Sequence, residues 1–143
     1  MFELLMAVFI TAITLVAIVN LVSNSVSNST FSRDRSEAVR YTNEIAEWLR
    51  SERDEDWIAF TARGAVGAGR IYCLTSSTWP TSSGACNSTS VIPNTKFTRQ
   101  ATLIYDASSD PNTVEAQIVT TWSDSGGTHE SRTSIILTNW RTS

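Results

Sequence analysis

The stretch MFELLMAVFITAITLVAIVNLV, Met1 to Val22, decides the fold. It is apolar almost throughout, yet it carries a carboxylate, Glu3, near its start. Leu4 to Val22 is long enough to cross a hydrocarbon core of about 30 Å at about 1.5 Å per residue. A charge at the edge of such a segment needs a partner or an exit to water. A secretory signal has a basic start and a short apolar core. Here no Lys or Arg precedes Arg33, and an acid stands where positive charge belongs. The expectation is a retained membrane segment.

Working outward, the apolar run predicts a helix hydrophobic all round. Thr11 and Thr14 do not forbid insertion, because a Thr hydroxyl can bond a carbonyl one turn back. Asn20 to Ser32 is rich in Ser and Asn, which are weak helix formers. It reads either as a linker or as a weak patch within one longer helix. No Gly or Pro occurs between Met1 and Arg63, which favours continuity. Arg33 to Asp54 is amphipathic, with Ala38, Thr42, Ile45, Ala46 and Leu49 on one stripe. Arg33–Glu37, Arg40–Glu44 and Arg50–Asp54 stand one turn apart and read as a solvated face. Joined, the two stretches make a rod of about 52 residues and about 78 Å.

Beyond the rod the periodicity changes. Trp57 to Gly69 reads as a connecting loop whose Trp57, Ile58 and Phe60 tuck against the core. Arg70 to Thr75 is a short strand. Lys96 to Asp106 alternates, with Phe97, Arg99, Ala101, Leu103 and Tyr105 on one face. Asp106 to Asn112 is a turn. Val114 to Ser123 places Val114, Ala116, Ile118 and Trp122 on one side, and Ser123 to Gly127 is a hairpin turn before a last strand, Thr128 to Trp140. The layout is α+β: a long N-terminal helix whose second half packs on an antiparallel sheet of about four strands. The expected domains are an apolar helix with its Ser/Asn-rich segment over 1–32 and a globular head over 33–143. The head comprises a helix half (33–54), a loop (55–69) and the sheet (70–143).

The chain has 143 residues and a net charge of −3, so it presents no general field for nucleic acid. Cys73 and Cys86 are too far apart for a metal knuckle, and a single histidine, His129, is present. One disulfide closing a polar loop is expected, which implies an oxidising compartment and contributes about 3 kcal/mol. No cofactor or metal motif appears. His129 lies near Asp124 and Ser125, but these are ordinary residues of a hairpin turn, and no enzyme activity is expected. Trp79, before Pro80 in the disulfide loop, is a candidate for ligand binding or adhesion. The area a Trp buries favours its packing back on the sheet. Arg63, Arg70, Lys96 and Arg99 could touch DNA, although the acidic balance favours scattered solubilising charge. Asn28-Ser-Thr and Asn87-Ser-Thr both match the glycosylation acceptor pattern.

Phe2-Glu3-Leu4-Leu5 followed by an apolar helix resembles the N-terminus of type IV pilins and pseudopilins. The resemblance extends to the layout of the whole chain, while motif-level similarity is confined to about its first twenty residues. It implies a helical filament of identical subunits, held in the inner membrane before assembly. Prepilin peptidase and the pilus assembly machinery would be its partners, and the new N-terminal amine would be methylated. It implies that Glu3 meets the N-terminal amine of a neighbouring subunit, and that Phe2, Leu4, Leu5, Val8, Phe9, Ile13 and Val16 form the assembly surface. Two features depart from the pattern. Only Met1 and Phe2 precede Glu3, where four residues usually separate the processing site from the glutamate, so the amine partner stays open. The apolar helix also lacks the Pro or Gly found in many members. Three functions follow as expectations. The first is a surface filament subunit (fimbrium) serving adhesion, twitching motility or DNA uptake. The second is a minor pilin or secretion pseudopilin, and the third is a membrane-anchored monomeric binding domain.

Overall fold

A computed structural model describes residues 2–140; Met1 and the three residues from Arg141, which belong to the predicted 1–32 and 70–143 segments, lie outside them. Helix α1 runs Phe2–Glu55 without interruption. A short helix α2, Trp57–Thr61, follows. Four strands complete the chain: β1 (Arg70–Cys73), β2 (Thr98–Ile104), β3 (Thr113–Asp124) and β4 (Gly127–Thr138). The architecture is α+β and matches the type IV pilin-like fold: a long N-terminal helix and a four-stranded antiparallel sheet. The Ser/Asn-rich stretch is therefore helical and no linker. Isolated propensity there is outweighed by the absence of any Gly or Pro to break the run.

The chain divides into two compact units, Met1–Arg35 and Ser36–Ser143. In the second, the strands lie in the order β1-β2-β3-β4, each antiparallel to its neighbour. The helical stripe is buried as its spacing predicts: Ala38, Thr42, Ile45, Ala46 and Leu49 are all closed to solvent. Ile45, Ala46 and Leu49 join one apolar core with Tyr72, Ala101, Leu103, Val114, Ala116, Ile118 and Leu137. Ala38 joins a second cluster with Ile92, Phe97 and Trp122. Strict alternation along β2 and β3 sends every second side chain inward, which is why the sequence period located both strands.

One buried polar link ties helix to sheet. The Thr42 hydroxyl donates to the Ala38 carbonyl one turn back (2.9 Å) and meets the Thr120 hydroxyl at 2.9 Å. Two hydroxyls in the core thus satisfy one another instead of standing against apolar neighbours.

Four local expectations are corrected. The segment after α1 is not wholly loop, because Asp56 caps a further turn of helix by accepting from the Ala59 amide at 3.0 Å. Within that turn Phe60 is buried, but Ile58 is 79% exposed. Residues two apart on a helix diverge by about 200°, so both cannot face the core. Arg99 is not a surface cation, because it shares the inward face of β2 and is 1% exposed. On α1, Arg50 pairs with Glu47 rather than Asp54, and Glu44 pairs with Arg99 at 3.3 Å rather than with Arg40.

The hairpin between β3 and β4 is a two-residue turn, Ser125-Gly126, closed by the Asp124↔Gly127 pair. Gly127 takes a φ of 123°, which an L side chain rarely adopts. The Asp124 carboxylate accepts from the Gly126 amide (2.7 Å) and from His129 Nε2 (2.9 Å). These bonds hold the Asp124 carboxyl below the usual range, the His129 bond contributing most.

Candidate assembly surface and sites on the head

The first turn of α1 carries Glu3, and the residues after it present apolar side chains around the whole helix. Phe2, Leu4, Leu5, Val8, Phe9, Ile13 and Val16 are each more than half exposed, as are Leu15, Val19 and Leu21. A helix apolar on all sides has no single face to lay on a sheet, so its surface suits lipid or other helices. The stretch is long and apolar enough to cross a membrane. Two of its polar interruptions are satisfied within the helix. Thr11 Oγ1 donates to the carbonyls of Ala7 and Val8 at 3.0 and 2.9 Å, and Thr14 Oγ1 to that of Thr11 at 2.8 Å. The Glu3 carboxylate, the one charge of the stretch, is exposed on the same helix among apolar residues. In an apolar setting such a group costs several kcal/mol unless a cation or donor meets it.

On the head, Cys73 and Cys86 form the expected disulfide, with Cα atoms 4.9 Å apart. The cross-link joins the end of β1 to the polar segment that leads to β2. Within that segment Trp79 packs back on the domain. Its ring lies 4.7 Å from Trp48 and 5.1 Å from Tyr72, centroid to centroid. The Arg63 guanidinium stands 4.3 Å from the ring centre, and Nε1 donates to Glu52. Trp79 therefore holds the disulfide loop to α1 and to β1. The sequence named this residue but showed nothing of its partners, which come from α1, β1 and the segment after α2.

In the sequence only Arg99's place in an alternating strand points to burial; the structure shows it buried and bonded. Nε donates to the Leu74 carbonyl (3.2 Å) and Nη1 to the Tyr41 carbonyl (3.1 Å), with the Glu44 carboxylate 3.3 Å away. Burial pushes the guanidinium below its ordinary value, and Glu44 opposes that shift. Of the other cations proposed for DNA, Arg70 donates to the Ala62 carbonyl at 3.2 Å and Arg63 covers Trp79. Three of the four are thus spent on separate local contacts or burial, and Lys96 lines a hollow near Asn87. Asn28 lies within α1, and Asn87 lies in a turn just after Cys86; both are exposed. Among the described residues no group of His, Cys, Asp and Glu side chains is arranged to hold a metal ion.

Comparisons with protein-family models, with curated protein sequences and with solved structures find no match to this chain.

Proposed function

We propose that the chain is a structural subunit of a type IV pilus-like filament and polymerises through residues 2–22 of α1. The observation that carries this reading is an all-round apolar helix surface, none of it buried within the subunit, with one carboxylate at its start. In the membrane precursor, lipid covers that surface. In the filament, equivalent helices from other copies cover it. Because lipid tails are as apolar as Leu, the exchange is nearly neutral in hydrophobic energy, and packing and polar contacts decide it. Glu3 supplies the polar contact. Its carboxylate gains a partner from a neighbouring copy only when the copies are in register. The sheet of residues 70–138 then faces outward and serves adhesion, motility or DNA uptake at the cell surface. No catalytic step enters this reading.

The test is Glu3→Lys in the native cell. The filament reading expects the variant to accumulate in the membrane with its disulfide formed and to be missing from sheared surface filaments seen by electron microscopy. Wild-type chain absent from such filaments overturns it in favour of a pseudopilin or an anchored monomer. Those two separate in turn, because an anchored monomer tolerates Glu3→Lys while a pseudopilin loses its assembly.

A further inference from the structure

The chain contains the tripeptide Asn-Ser-Thr twice, at Asn28 and at Asn87. We propose that Asn87 is an acceptor for an N-linked oligosaccharide and that Asn28, in the folded chain, is not. The sequence signal is identical at both positions, so conformation alone discriminates between them.

A transferase that reads Asn-x-Thr must meet the asparagine amide and the threonine hydroxyl together. On a helix, residues two apart point about 200° from one another. Asn28 and Thr30 lie within α1 and so face opposite sides. The Thr30 hydroxyl is also engaged, donating to the Val26 carbonyl at 3.0 Å. At Asn87 the two groups are together. The Thr89 hydroxyl donates to Asn87 Oδ1 at 2.7 Å, and the Thr89 amide donates to the same oxygen at 3.0 Å. The Ser90 hydroxyl adds a third bond at 2.7 Å. All three fall on Oδ1, so Nδ2 makes no hydrogen bond among the described residues. Asn87, Ser88 and Thr89 are all exposed, and the turn is anchored by the neighbouring Cys73–Cys86 disulfide.

The surroundings suit a sugar. Beside Asn87 lies an open hollow of 420 Å³, lined among others by Ser88, Lys96, Thr98, Thr121 and Ser123. Its lining is polar, with hydroxyls that pair across it (Thr98 with Thr121) and with Thr128 (Ser123), the kind of surface against which a sugar's hydroxyls can sit. In the reaction, Asn87 Nδ2 bonds to the anomeric carbon of an oligosaccharide carried on a lipid phosphate. The bond from that carbon to the phosphate oxygen breaks, and its electron pair leaves with the phosphate. The Nδ2 proton passes to a carboxylate of the transferase. Such a reaction belongs outside the cytoplasm, where the disulfide also forms.

The experiment uses the full, disulfide-bonded chain in detergent. It is treated with a single-subunit oligosaccharyltransferase that accepts Asn-x-Thr without a flanking acid, with its lipid-linked oligosaccharide as donor. Peptide mass mapping reads the occupancy of each site. The expected result is a glycopeptide spanning Asn87, lost in Asn87→Gln and Thr89→Ala and retained in Thr89→Ser, with at least tenfold lower occupancy at Asn28. A synthetic peptide of residues 24–34, too short to hold a helix in water, should accept sugar at Asn28 and so separate conformation from sequence. An unmodified Asn87 under conditions that glycosylate the peptide overturns the proposal. Equal occupancy of Asn28 and Asn87 in the folded chain overturns the conformational argument.

Discussion

Replacing Arg99 tests what holds its buried charge. Two kinds of partner compete: backbone carbonyls of Leu74 and Tyr41, and the carboxylate of Glu44. Glu44 keeps 44% of its side chain exposed, so its attraction is screened and contributes at most about 1 kcal/mol. The Tyr41 carbonyl lies inside α1 and keeps its helical bond when Arg99 is lost. The Leu74 carbonyl belongs to a residue only 1% exposed and has less recourse to water. Arg99→Met keeps most of the stem and leaves that carbonyl unpaired, at about 1–3 kcal/mol. Relief from burying a guanidinium offsets part of this, so the net cost is about 1–2 kcal/mol. Arg99→Ala also empties the stem's volume and should cost about 3–5 kcal/mol. Glu44→Ala should cost less than either. Urea unfolding of residues 29–143, which carry both apolar clusters, followed by tryptophan fluorescence and circular dichroism, measures all three. Each kcal/mol should lower Tm by about 4 °C in a domain of this size. Glu44→Ala costing as much as Arg99→Ala would refute the reasoning, because the ion pair and not the carbonyls would then carry the site. Arg99→Met more stable than wild type would show that desolvation outweighs every bond the guanidinium makes.

Reducing the disulfide, or replacing both cysteines by Ser, should cost about 3 kcal/mol, read as a lower urea midpoint. Trp79→Ala should cost about 3 kcal/mol and raise protease cleavage between Leu74 and Phe97, since its contacts with Trp48, Tyr72 and Arg63 hold that segment; unchanged cleavage would sink the clasp role. Gly69→Ala should destabilise the domain in thermal melts, because its φ is +76° and an added Cβ would sit 2.7 Å from Ile104 Cγ1 and 2.9 Å from the Leu103 carbonyl. The Asp124 carboxyl is depressed in the folded state, so its contribution is present above its unfolded value of about 3.9 and is lost as pH falls through the lower folded value. Amide exchange at Gly126 should therefore stay protected from pH 8 down to about 4, relative to the intrinsic rate, and lose protection below that. Asp124→Asn should remove the acid step.

The long helix and the strands of this protein were legible in the sequence because they repeat periods that burial enforces, whereas α2 was read as loop. The stripe from Ala38 to Leu49 follows helical spacing, and Val114, Ala116 and Ile118 follow strand spacing; both sets are buried. The absence of Gly and Pro favoured continuity through the Ser/Asn-rich middle of α1, which also read as a linker until the structure showed it helical. The filament reading rests on the resemblance of the Phe2-Glu3-Leu4-Leu5 start and its apolar helix to type IV pilins. Contacts between distant segments were not legible. Arg99 looked like an exposed cation until the sheet placed it against carbonyls 25 and 58 residues away. Ile58 and Phe60 looked equivalent until Asp56 started a helix that turned them apart. The two Asn-Ser-Thr tripeptides are identical as sequence, and only backbone conformation sets Thr30 away from Asn28 and Thr89 against Asn87. Periodicity is a property of one segment and can be read from it. Partners depend on strand register and on which loop a disulfide draws in, and these exist only once the chain has folded.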